Sequence, residues 1–135
     1  MRIVRMDSIA RAKGDIDLKN TIIEYCLKKK GATLEYPFGP HPIVMKVAGK
    51  MFALIFEGNG VNVHLNLKCD PIIAENLREQ LEAVRPGFHM NKKHWNTVII
   101  DGSLSASDIF DMINHSYDLV VNNLSKSLRE SILEK

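Results

Sequence analysis

The sequence predicts an α+β domain, an antiparallel sheet with helices packed on one of its faces. Three observations carry that expectation. The 135-residue chain is 45% hydrophobic, enough for one domain with a real core. From Leu34 to Lys68 the apolar period is two, whereas the segments before Gly31 and after Ser105 repeat at helical spacing. The resulting order of helix, strands, helix, strand, helix suits a single sheet covered on one side.

Residues 1–16 read as an N-terminal extension ahead of a single domain over 17–135; Arg2, Arg5, Arg11 and Lys13 stand there against Asp7, as in a solvated terminus. The first helix opens near Asp15 or Asp17, either of which can cap it, and presents Leu18, Ile22, Tyr25 and Cys26 on one face. Gly31 ends it, and Lys28, Lys29 and Lys30 complement its negative end. Strands follow at Ile43 to Val47, Met51 to Phe56 and Val61 to Leu67, with a short edge strand at Thr33 to Tyr36. Ala48-Gly49-Lys50 and Glu57-Gly58-Asn59-Gly60 have hairpin-turn chemistry. Asp70 caps a second helix with Pro71 in its first position; Ile73, Leu77 and Leu81 form its expected buried stripe, and Pro86-Gly87 its stop. A further strand runs from Asn96 to Ile100. The last long helix opens on Ser105 and Asp108 in a capping-box arrangement and buries Ile109, Ile113, Tyr117, Val120 and Leu124, and a short helix is expected within 125–135.

Composition narrows the function. Eighteen basic and 16 acidic residues leave a net charge of +2, so any nucleic-acid footprint has to be local. The N-terminus lacks the apolar core of a signal peptide, and no stretch approaches the roughly 20 apolar residues of a membrane span. A cytoplasmic location is the simplest expectation. Cys26 and Cys69 lack CxxC spacing and read as reduced thiols.

Four blocks carry a resemblance. They are Tyr36-Pro37-Phe38-Gly39; Gly49-Lys50-Met51-Phe52-Ala53; Leu67-Lys68-Cys69-Asp70-Pro71; and the run from Pro86-Gly87-Phe88-His89-Met90-Asn91 through Lys92-Lys93-His94-Trp95-Asn96-Thr97-Val98. In order and spacing they resemble the MmcQ/YjbR family, small bacterial proteins described as double-wing DNA-binding domains with a CyaY-like (frataxin-like) fold. The resemblance covers roughly residues 17–125. It implies a CyaY-like arrangement and a DNA-binding or regulatory role, and no shared reaction. Iron handling by frataxin-like proteins is associated with an acidic first helix; here Glu24 stands against Lys19, Lys28, Lys29 and Lys30, so the iron chemistry is not expected to carry over.

Two candidate interfaces stand out. Alternation in the third strand turns Asn62, His64, Asn66 and Lys68 away from the core onto an open polar face, where amides and a cation could meet base edges and phosphates. Lys46 and Lys50 on the neighbouring hairpin extend that patch. A water-facing strand carries polar side chains in any case. The second candidate is Lys92-Lys93-His94 beside Trp95, which could join phosphate neutralisation to stacking; equally, Trp95 could anchor the loop in the core. His89 and His94 are not spaced as metal ligands with an intervening carboxylate or thiol, and neither metal nor cofactor is expected. No GxSxG, phosphate loop or HExxH motif is present, and the neighbouring pairs Asp15 with Asp17 and Asp108 with Asp111 read as first-turn helix acids. The leading expectation is a non-enzymatic DNA-binding or regulatory domain of weak sequence specificity. The alternative is a small-molecule or protein interaction module with a cleft near Tyr36, Phe38, His64 and Trp95.

Overall fold

The computed structural model describes residues 18–57 and 62–134. The expected extension over 1–16, the caps Asp15 and Asp17 and the turn glycines Gly58 and Gly60 lie outside those residues. Helix α1 occupies residues 18–27, and Gly31 closes the following turn at a φ of 74°, where a Cβ would be strained. Six strands follow: β1 (Ala32–Glu35), β2 (Ile43–Val47), β3 (Lys50–Glu57), β4 (Val63–Lys68), β5 (Val84–Pro86) and β6 (Trp95–Ile100). Helices α2 (Pro71–Gln80), α3 (Ala106–Asn122) and α4 (Lys126–Leu133) complete the chain. Each cap follows local chemistry. Asp70 accepts from the backbone N–H groups of Ile72 and Ile73, Ser105 from Asp108, and Ser125 from Leu128.

The strands form one sheet in the order β1-β2-β3-β4-β6-β5, antiparallel at every pairing. Ala48 and Gly49, at φ 50° and 78°, make the two-residue turn between Val47 and Lys50, a backbone twist that suits a tight hairpin. One sheet face packs under the helices: Ile22 and Cys26 of α1, Ile113 and Tyr117 of α3 and Ile132 of α4 share a core with Val47, Phe52, Leu65 and Val98. Ser116 of α3 is fully buried there; it donates to the Phe52 carbonyl at 2.6 Å and accepts from the Lys68 N–H at 2.9 Å, fixing the helix to two strands. Lys29 and Lys30 do more than complement a dipole. The Lys29 ammonium lies over the rings of Tyr25 and Tyr117, and Lys30 donates to the Leu133 carbonyl.

Three expectations are corrected. Helix α2 ends at Gln80 with an extended Leu81, and Val84–Pro86 forms an edge strand on β6. The stripe on α2 is only partly as expected: Leu77 and Leu81 pack half-buried against the core, but Ala74 is the fully buried residue and Ile73 is 43% exposed. The second sheet face is not open throughout, because Trp95 packs there with Val44 and Leu54 under Met90.

Candidate nucleic-acid interface

Strand alternation sends Trp95 and Thr97 of β6, and His64 and Asn66 of β4, to the face away from the helices. The segment from Gly87 to His94 folds across that face. Asn91 holds it in shape: its side chain accepts from the backbone of Lys93 at 2.9 Å and of His94 at 3.3 Å, and its carbonyl accepts from Trp95 at 3.0 Å. Gly87 donates to the Trp95 carbonyl at 2.9 Å, and a Cβ at Gly87 would fall 2.8 Å from the Trp95 Cβ. Only a glycine lets the loop lie so close to β6. Phe88 then stands edge-on to His64, with ring centroids 5.6 Å apart, and remains 37% exposed.

The expected contact residues divide by what they already touch. Lys50, Lys93 and His94 are exposed, Lys50 beside the hairpin turn and the other two on the loop. Lys92 is exposed too, but its ammonium donates to the Gly87 carbonyl at 2.9 Å and so braces the loop. Lys46 forms an ion pair with Glu35 at 3.3 Å. Asn62, His64 and Lys68 are half-buried. Asn66 is fully buried: it donates to the Phe88 carbonyl at 2.9 Å and accepts from the Thr97 hydroxyl at 2.6 Å, so it is not available to a partner. The structure therefore gathers His64, Lys92, Lys93 and His94 around one loop and takes Asn66 out of the set. Exposed Arg85 and His89 join the same stretch, and residues 85–94 contain no carboxylate.

Arg78 is the residue that sequence reasoning missed. From α2 its Nε donates to Asn96 Oδ1 at 2.7 Å, and its guanidinium also donates to the Lys92 and Trp95 carbonyls. One side chain thus fastens the basic loop to the helix layer. An arginine near a helix end looks like a dipole partner, and nothing local distinguishes this one.

Of the residues expected to line a cleft, Tyr36 and Phe38 are exposed, His64 is half-buried and Trp95 is buried. Burial raises the Cys26 thiol from its ordinary 9.0 to about 12; burial first, and then the Asp70 carboxylate, raises Cys69 to about 11. Both thiols are therefore protonated near neutrality. Their contribution to stability is full below pH 9.0 and is lost as pH climbs through about 11 and about 12. A disulfide reagent at pH 8 is expected to label them only as fast as the protein opens; a rapid stoichiometric burst from native protein would contradict this.

Among the described residues no helix is long and apolar enough to cross a membrane, and no group of three or more His, Cys, Asp and Glu side chains could hold a metal ion.

Comparison with known proteins agrees with the resemblance. A model of the YjbR family matches residues 27–119. The uncharacterized protein YjbR of Escherichia coli (strain K12) is 35% identical over 113 residues, covering 84% of this chain and 95% of that protein. Uncharacterized protein YyaQ of Bacillus subtilis (strain 168) is 28% identical, over 75% of this chain and 96% of its own. Among solved structures, the crystal structure of Deinococcus radiodurans protein DR2400, a DUF419 domain, aligns with a TM-score of 0.77 at 30% identity, over 84% of this chain and 86% of that one. A Pseudomonas syringae protein aligns with a TM-score of 0.65 at 29% identity, over 74% of this chain and 96% of its own.

Proposed function

The chain belongs to the YjbR family, and on that footing we propose that it is a non-enzymatic domain that binds DNA weakly and with little sequence preference, through the 87–94 loop and the neighbouring hairpin. One observation carries the reading. The loop brings Lys92, Lys93, His89 and His94 together with a half-exposed Phe88, and residues 85–94 hold no acid to cancel them. Cations supply phosphate affinity, and an exposed ring beside them offers a face or wedge to bases. Among the described residues no helix is placed to enter a groove from this face, so base-specific readout is not expected.

The affinity has to come from a few lysines, since the whole chain carries only +2. With about three phosphates neutralised, log K is expected to fall against log salt with a slope near −3, at roughly −0.9 per phosphate on duplex DNA. Replacing Lys50 and Lys93 by Ala should flatten that slope by about two units and leave the fold intact, because exposed lysines add little stability. Lys28→Ala, on the helix side, is the control and should leave the slope unchanged. Absence of binding at low salt, or an unchanged slope in the double variant, would refute the reading.

A further inference from the structure

We propose that the sheet face away from the helices carries a stacking platform for single-stranded DNA, with Phe88 as the ring that meets an unpaired base. The inference rests on the DNA reading above and narrows its substrate class from DNA in general to an unpaired strand.

Phe56, His64 and Ile99 stand in one cross-strand row on β3, β4 and β6, and all three are half-buried. Phe88 lies edge-on to the middle member of that row, with its ring centroid 5.6 Å from that of His64. Both of its backbone groups are held from the strands beneath. The N–H donates to Thr97 Oγ1 at 2.8 Å, and the carbonyl accepts from Asn66 Nδ2 at 2.9 Å. Buried partners thus fix the position of a ring that is itself 37% exposed. A ring held in this way is preorganised to stack, since little conformational freedom remains to be lost on binding.

Charge decides what covers the ring. Arg85 on β5 and Lys93 in the loop are exposed cations beside it. The nearest carboxylates along the strands are engaged elsewhere: Glu57 alternates to the other sheet face from Phe56 and pairs with Lys19, and Asp101 accepts from the N–H and hydroxyl of Ser103. A polyanion with exposed aromatic faces complements both the cations and the ring. Duplex DNA keeps its base faces stacked inside, and a single ring reaches them only by prising a step apart at an energetic cost. An unpaired strand presents the same faces freely, and each base has one whatever its identity.

The test compares three probes of equal length at low salt: an oligothymidylate of about ten nucleotides, an abasic strand with the same phosphates, and a duplex. The protein is expected to bind the oligothymidylate about tenfold more tightly than either of the others. Phe88→Leu keeps an apolar side chain and both backbone bonds but removes the ring, and should lower oligothymidylate binding to the abasic level while leaving duplex binding and its salt slope unchanged. Phe88→Trp should retain the preference, and its added indole emission should be quenched by oligothymidylate and not by the abasic strand. Equal affinity for the three probes, a preference that survives Phe88→Leu, or an indole in Phe88→Trp that oligothymidylate leaves unquenched would overturn the platform and leave the DNA reading standing on its lysines. Failure to bind any of the three would overturn both.

Discussion

Replacing Trp95 with Ala is expected to destabilise the protein by about 3–5 kcal/mol, the range for large aromatics removed from a core. The indole is 9% exposed and packs with Val44, Leu54, Phe56, Met51 and Met90 on the sheet face opposite the described helices. At about 25 cal/mol per Å² and some 200 Å² for a buried indole, transfer alone accounts for about 5 kcal/mol as an upper bound. Collapse around the hole is restricted, because the Trp95 backbone is pinned by Gly87, Asn91 and Arg78. The second core would then lose its central group, and Met90 its seat. Urea unfolding should show a lower midpoint at an unchanged m value, and native wild-type emission should be blue-shifted and resist iodide. A loss below about 1 kcal/mol would contradict a structural Trp95 and return the indole to the list of groups available for stacking.

Much of this architecture was legible because it is encoded locally. Asp70-Pro71 and Ser105 through Asp108 are helix starts whose caps form from neighbouring residues, and the alternation from Ile43 to Leu67 places β2, β3 and β4. Strand β5 was not legible. Three residues, one of them Pro86, give no period to read, and the strand exists because Val84, Arg85 and Pro86 find Val98, Thr97 and Asn96 across the chain. On α2 the expected stripe holds in part: Leu77 and Leu81 pack against the core, whereas Ile73 stays 43% exposed and the fully buried place goes to Ala74, with Arg78 bonded to Asn96. The site failed to announce itself for the same reason. Lys92 and Lys93 were visible as cations, whereas the bonds that shape their loop come from Arg78, Asn91 and Gly87, whose residue types are ordinary in a helix end and a turn.

Asn66 is where these levels meet, and Asn66→Ala is expected to cost about 2–4 kcal/mol, as for a buried network that loses two hydrogen bonds and leaves its partners unpaired. By alternation alone it stands on the polar face, beside His64 and Lys68. In the folded chain its partners come from 22 and 31 residues away: Nδ2 donates to the Phe88 carbonyl and Oδ1 accepts from Thr97. Thr97 Oγ1 in turn accepts from the Phe88 N–H at 2.8 Å, so one ring of three residues satisfies both backbone groups of Phe88 and docks the basic loop on the sheet. Removing the amide takes away the Phe88 carbonyl's partner in the ring, and faster hydrogen exchange at the loop amides should accompany the loss. Thr97→Val deletes the hydroxyl at nearly constant volume and breaks the same ring. Because the two changes share one network, the double variant should be less destabilised than the sum of the singles, with a coupling of about 0.5–3 kcal/mol. A residue that served only to contact DNA would behave in the opposite way, weakening binding at unchanged stability. Full stability in Asn66→Ala, or simple additivity with Thr97→Val, would remove the ring from the account of how the loop is held.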